Sequence, residues 1–375
     1  MSDESDALER VIDEVVAPGA AEVDATGKFP REAIGALGRA GVLGLTTSAE
    51  VGGGGQGLRA AADVIERLAG ACGSTAMVTL MHYAAVAAID HHGPEDVRRR
   101  IAAGEYLATL AFSEVGSRSH FWAPLGTATA ADTGPADVRL DGRKSWVTAA
   151  GEADGYVWSS RALAADGPMT LWLVPASSTG LRQPAPFDGL GLRGNASTPV
   201  TADGVTVART AMIGADGGGL DLALAEILPF FLVLSAAFSV GLMEATVAET
   251  TRHLASTRLE HLDQSLAEQP LVRADHARMR LTTDQAAALL ADTLSALESG
   301  RDDAMLRVLE VKAAAGEAAI DVTDLAMKVC GGAAFRKELG IERRFRDARA
   351  ARVMAPTTDA LLDFVGRAIN GLPLL

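Results

Sequence analysis

The order of residue periodicities along this chain restricts its fold more than any other feature. Leu8, Val11, Ile12, Val15 and Val16 recur at helical spacing. Phe29-Pro30-Arg31-Glu32 opens a second helix with proline near its first turn, and Ile34, Leu37 and Val42 follow. Further helices are expected over 58–71 and 76–89. From Tyr106 to about Met212 the helical period stops. Short stretches rich in β-branched and aromatic residues replace it, such as Tyr156-Val157-Trp158 and Met169 to Val174. Asp141-Gly142 and Asp203-Gly204 read as hairpin turns between strands. After Gly217-Gly218-Gly219 helical spacing returns, over about 220–256, 271–297, 302–329 and 358–369. Long helices with short connections make a four-helix bundle. The expected fold is α+β and mainly α. An N-terminal helical domain spans 1–108, a β-domain of seven or eight short strands 109–212, and a C-terminal four-helix bundle 213–375.

With 375 residues, 48% of them hydrophobic, the chain can build several cores. A net charge of −14 argues against nonspecific nucleic-acid binding, which needs a basic face. Arg343, Arg344, Arg346, Arg349 and Arg352 form one local basic patch, read as a solvated or subunit-contact face. Cys72 and Cys330 are too few for a disulfide framework and suit a reducing cytoplasm as buried thiols. The acidic, polar start has no leader pattern. The uncharged run from Ile227 to Met243 is short for a membrane span and contains Pro229, Ser235 and Ser239, so it reads as a buried bundle helix. The expectation is a cytoplasmic protein without a membrane span.

Several chemical motifs fail. Gly52 to Gly55 lacks the Lys-Ser/Thr of a phosphate loop, and no Gly-x-Gly-x-x-Gly follows a strand. No His, Cys, Asp or Glu cluster has metal-ligand spacing, so no metal is expected.

One series of motifs does run through nearly the whole chain. It begins with Phe29-Pro30 through Gly41 and Gly44 to Glu50-Val51-Gly52-Gly53. It continues with His82, Gly93 and Gly104-Glu105, then Phe112 to His120, Leu140 to Thr148, and Gly191-Leu192-Arg193-Gly194. It ends with Gly331-Gly332, Arg346-Asp347-Ala348 and Thr357. The order and spacing resemble the acyl-CoA dehydrogenase family. The resemblance implies non-covalently held FAD, α,β-dehydrogenation of an acyl thioester, and a homodimer or homotetramer whose FAD sites span two subunits. It identifies no electron acceptor. It places Ser113 and Ser119 in a turn beside the flavin. Trp146 would stack on the flavin and Thr148 would bond it, two residues apart on one strand. Gly331 and Gly332 would allow close approach of the dinucleotide, although a glycine pair also caps a helix well. Thr357 and Asp359 would touch FAD, and Arg258 would reach the FAD of a neighbouring subunit.

The resemblance breaks where the chemistry should sit. The family's Glu-Gly-Thr is Ala355-Pro356-Thr357 here, and a methyl group cannot accept the α-proton. The alternative position for the base, on the first bundle helix, falls at Phe230, Phe231 and Leu232. The family's Asp-x-x-Arg pair on that helix is also missing. Glu226 and His120 are the nearest proton-transfer candidates, and His82 reads as a packing histidine. The catalytic residue is unassigned. A monooxygenase or oxidase, a lyase and a non-catalytic flavoprotein subunit remain alternatives on the same scaffold.

Overall fold

A computed structural model describes residues 2–117, 120–132, 134 and 136–374. Helices come first, from Ser2–Val11 to Glu95–Ala102. Eight strands follow, and helices return to the C-terminus. This is the expected α+β, mainly α order. By compactness the chain forms two units. The first comprises Met1–Val64, Met77–Asp188 and Arg193–Phe231, the second Ile65–Ala76, Gly189–Leu192 and Leu232–Leu375.

Of the ten strands among the described residues, Arg258–Leu259 and Gln264–Ser265 pair in the second unit, and the other eight lie in the first, in two four-stranded sheets. They are β1 (Ala108–Ala111), β2 (Thr127–Ala130), β3 (Asp137–Val147), β4 (Gly155–Ser160), β5 (Thr170–Pro175), β6 (Leu181–Arg182), β7 (Thr198–Ala208) and β8 (Met212–Ile213). One sheet has the order β1-β4-β5-β8, the other β2-β3-β7-β6. Among the described strands, β1 and β4 alone pair in parallel. Strand β4 is buried along its whole length, as a strand covered on both faces should be.

The two Asp-Gly pairs are not hairpin turns. Each lies inside an 11-residue strand, β3 or β7, and the two strands pair with each other. Asp203 and Gly204 bulge opposite Asp141, whose carboxylate accepts the Gly204 N–H at 2.8 Å. Gly204 has φ +64°, which a bulge residue without Cβ adopts freely. Gly142 is required for a different reason. A Cβ there would stand 3.2 Å from Gly126 Cα and 3.3 Å from the Trp158 ring. Strand continuation won over turn propensity because the flanking residues bury Val138, Leu140, Val205 and Val207 in the core.

A buried ion pair ties this region together. Lys144 on β3 is fully buried, and Glu114 is nearly so. The Lys144 ammonium donates to Glu114 Oε1 at 2.8 Å, to the Ser159 carbonyl at 2.7 Å and to Ser159 Oγ at 2.8 Å. It also sits 5.0 Å from the Trp158 ring centre. Glu114 in turn accepts the backbone N–H groups of Leu125 and Gly126. Burial still pulls the Lys144 ammonium down to about 8.

In the second unit the bundle is built from the helix Leu228–Ser256, from Leu232 onward, with Pro270–Ser299, Ala304–Cys330 and Thr358–Ile369. Pro270 takes the first helical position, and Gly300, with φ +62°, ends that helix. The segment Gly219–Ser256 is apolar and long enough to cross a membrane, but 72% of its most apolar window is buried in the protein. That fits a core helix. The sequence reading missed the helix Ile341–Ala348, because arginines hide its apolar stripe. Of the five arginines of the local basic patch, Arg352 is exposed and pairs with Glu317, and the other four are only partly exposed. Arg343 and Arg344 donate to the carbonyls of Ala71 and Gly70, Arg346 pairs with Glu342, and Arg349 pairs with Asp324.

The buried pair yields a stability prediction. Lys144→Met strands the Glu114 carboxylate in the interior, which costs about 3–5 kcal/mol. All four tryptophans lie in the first unit, at 122, 146, 158 and 172. Urea unfolding followed by tryptophan fluorescence therefore reads the affected unit. An unshifted midpoint would show that the pair contributes nothing.

Candidate functional site

Strand β3 ends at Val147, and its last residues carry the first candidate group. The register shifts between Lys144 and Val147, so side-chain alternation breaks there. Strand β3 ends between Trp146 and Thr148, at Val147. Trp146 is 66% exposed, while Thr148 lies in the turn beyond the strand and is 5% exposed. The Trp146 ring presents a large flat apolar face. Thr148 Oγ1 lies 2.9 Å from Ser197 Oγ. Two paired hydroxyls use one proton between them and keep one free to donate. Asn195 Oδ1 accepts the Ser197 N–H at 3.0 Å and fixes that residue. No motif pointed to Ser197, since 49 residues separate it from Thr148.

Ser113 is brought to the same strand end. Its carbonyl accepts the Ser145 N–H at 2.9 Å, which lays its segment beside Trp146. Ser119 lies outside the described residues. His120 is exposed. Its Nδ1 lies 2.8 Å from the Ser117 carbonyl, and its ring meets Trp122 edge-on at 4.8 Å.

The second unit holds the C-terminal candidates. The helix Ala304–Cys330 ends at Gly331, whose φ of +55° and ψ of −135° suit glycine. Gly331 thus caps the helix, and a Cβ on it or on Gly332 would meet nothing within 4 Å. The backbone there is open to close approach. Thr357 caps the helix Thr358–Ile369 through the Ala360 N–H, and Asp359 is exposed in its first turn. Arg258 stands in a two-residue strand, exposed, and donates to the Asp263 carbonyl and carboxylate.

Two buried charges anchor the loops around these residues, and sequence reasoning missed both roles. Lys312 is 2% exposed and donates to the carbonyls of Ala351, Met354 and Pro356 at 3.2, 3.1 and 2.8 Å. The backbone on both sides of Ala355 is therefore held. Burial pushes the Lys312 ammonium down to about 7. Asp347 is 3% exposed and accepts the Leu192 N–H at 2.6 Å. A Cβ at neighbouring Gly191 would collide with the Arg346 backbone at 2.5 Å. The motifs at 191–192 and 346–347 thus bind each other.

No acid replaces the missing one at either expected place. Ala355 carries no proton acceptor. Phe231 and Leu232 are buried, and no carboxylate stands among Leu228–Leu232. The Glu226 carboxylate is engaged by His91 Nδ1 at 3.2 Å and His92 Nε2 at 3.0 Å. His82 is fully buried between the Leu43 carbonyl and the Ala108 N–H. Its Nδ1 accepts and its Nε2 donates, and burial lowers it to about 4, so it is a neutral packing residue. Cys72 and Cys330 are free and buried, and burial raises both thiols. They are structural rather than reactive.

In the first unit, an open aromatic face and a spare hydroxyl proton are groups that suit a flavin ring; in the second, the glycine backbone is unobstructed. The comparisons with known proteins agree. Residues 4–105, 109–205 and 217–370 match the acyl-CoA dehydrogenase N-terminal, middle and C-terminal domains. The short-chain specific acyl-CoA dehydrogenase of Homo sapiens mitochondria is 26% identical over 350 residues, covering 91% of this chain and 83% of that protein. The structure of butyryl-CoA dehydrogenase from Megasphaera elsdenii superimposes with a TM-score of 0.90 at 21% identity, covering 99% and 98% of the two chains. The prolyl acyl carrier protein oxidase AnaB does so with a TM-score of 0.86 at 19% identity, covering 98% and 99%. The chain belongs to the acyl-CoA dehydrogenase family, whose members are FAD flavoproteins.

Proposed function

We propose that the protein is an FAD-dependent oxidoreductase that α,β-dehydrogenates an acyl thioester. The observation that carries this reading is the exposed Trp146 face beside the Thr148–Ser197 hydroxyl pair. Bound FAD supplies a two-electron acceptor. Trp146 would support its ring system, and the free hydroxyl proton of the Thr148–Ser197 pair would donate to the ring's polar edge. Ser113 would line the same strand end. Gly331 and Gly332 would admit the dinucleotide backbone, with Thr357, Asp359 and Arg258 as further contacts. Family resemblance, rather than any contact in this chain, supports those last three assignments. Both cysteines are buried and free, which fits a cytoplasmic location.

A second reading rests on a specific observation. Neither Ala355 nor the Leu228–Leu232 turn offers a carboxylate, and Glu226 is held by two histidines. A monooxygenase, in which reduced flavin meets oxygen, removes no α-proton and requires neither. An oxidase, which passes its electrons to oxygen, is the related alternative, and AnaB, a carrier-protein oxidase by name, has the same fold. A non-catalytic flavoprotein subunit is the limiting case.

The chain is proposed to act as a homodimer or homotetramer. In the bundle unit Leu271 and Phe335 are each 82% exposed, and Ile369 is 66% exposed. Such apolar side chains favour cover by a second surface. Light scattering on the FAD-loaded protein should give at least twice the 38.7 kDa chain mass, and a 38.7 kDa species alone would refute the proposal.

Loss of the stacking face and of the bonded hydroxyl should weaken cofactor retention. Trp146→Ala with Thr148→Ala should purify with a lower ratio of flavin to protein absorbance. An unchanged ratio would remove both residues from the cofactor site.

The missing base gives a kinetic prediction. A positioned base contributes about 10²- to 10⁴-fold in rate. Anaerobic mixing with straight-chain acyl-CoAs should bleach the wild-type flavin slowly. Ala355→Glu should accelerate bleaching, because Lys312 already holds the backbone on both sides. Fast bleaching by wild type would place the base elsewhere. No bleaching by either protein, with a transient oxygen adduct after chemical reduction, would replace dehydrogenation with the monooxygenase reading.

A further inference from the structure

Apart from the candidate flavin site, the first unit brings two imidazoles and a carboxylate to one point. His91 and His92 are the last two residues of the helix Gly73–His92. Glu226 belongs to a π-helical turn, Ala223–Ile227. Wide turns of this kind recur where a helix must aim a side chain at a function. Sequence spacing conceals the cluster, because Glu226 lies 134 residues from His92.

The geometry points to a binding site for a divalent transition-metal cation of the zinc type, held by His91 Nδ1, His92 Nε2 and the Glu226 carboxylate. The three ligand atoms lie within 4.8 Å of one another. His91 Nδ1 is 3.2 Å from Glu226 Oε2, and His92 Nε2 is 3.0 Å from Oε1. Zinc binds imidazole nitrogen and carboxylate oxygen at about 2.0–2.2 Å in a tetrahedron. Tetrahedral ligand atoms at that radius stand about 3.3 Å apart. The two His–Glu distances already match, and side-chain rotation within the 4.8 Å bound closes the cluster on the cation. The two rings are perpendicular, at 89°, which lets adjacent residues offer nitrogens from different directions.

The chemistry also selects the ion. Two imidazoles and one carboxylate suit zinc, cobalt or nickel, whereas calcium and magnesium prefer oxygen throughout. His91 is 66% exposed, leaving a fourth position for water. Each ring must direct its lone pair inward and carry its proton on the other nitrogen. The backbone prepares one side of the site. The Gly93 N–H bonds the Ile89 carbonyl at 2.7 Å, and a Cβ at Gly93 would approach that oxygen to 2.6 Å. Gly93 thereby closes the helix directly after His92. A bound cation would cross-link this helix end to the π turn that leads into Leu228–Ser256.

The experiment uses tag-free, FAD-loaded full-length protein after chelator treatment. Zinc is titrated calorimetrically, and cobalt is followed by its ligand-field absorption. One zinc per chain and a cobalt band typical of four- or five-fold coordination are expected. His91→Ala, His92→Ala and Glu226→Gln should each weaken binding by about tenfold or more, since even outer partners of metal ligands are worth about 10–100-fold. Circular dichroism and flavin absorbance check that each variant is folded. If Glu226→Gln fails to fold, the two histidine variants decide the question. Absence of saturable binding near one per chain, or equal affinity in the His91→Ala/His92→Ala double variant, would overturn the proposal. The readout is metal binding rather than turnover, so either outcome leaves the oxidoreductase reading intact.

Discussion

The ion pair between Lys144 and Glu114 organises the end of the β-region where the cofactor candidates sit. A buried ammonium is tolerable only with its charge matched and its protons used. Here one carboxylate and both polar oxygens of Ser159 meet that demand. The carboxylate spends its other lone pairs on Leu125 and Gly126. One contact therefore fixes β3, β4 and the segment after β1. Trp146 and Ser113 take their positions from that arrangement. Trp146 is exposed and Thr148 buried, giving an open ring and, two residues on, a sheltered hydroxyl.

The second unit uses buried charge in the same way. Lys312 gathers three carbonyls of the 351–356 segment, and Asp347 holds the Leu192 N–H. Both interactions fix loops rather than reactants. Lys312 thus holds the loop where the resembling family carries its base, while Ala355 and Pro356 replace both the acid and the glycine after it. A scaffold can keep its anchoring charges while its reactive group changes, because the anchors face the interior and the reactive group faces the ligand.

Much of the fold was legible in the residues. The helices Leu58–Ala71 and Thr358–Ile369 begin and end where apolar spacing placed them. Apolar period and capping are local properties, so a window of a dozen residues contains them. The Asp-Gly pairs failed because turn propensity is weak beside the burial of flanking valines and leucines in two paired strands. The helix Ile341–Ala348 failed because its arginines find partners far away in sequence, which a local pattern cannot reveal. The end of β3 at Val147, one residue before Thr148, follows from its pairing with Thr198, which no composition signals.

The sequence alone determined the order of helical and extended segments, the family to which the chain belongs, and the absence of an acid at Ala355. These follow from residue identity and short-range spacing. Tertiary structure alone decided that Ser197 pairs with Thr148, that Lys312 holds the loop around Ala355, and that Glu226 is engaged by His91 and His92. Each of these joins residues tens of positions apart. Their proximity depends on how whole sheets and helices pack, and packing is a property of the folded chain rather than of any segment.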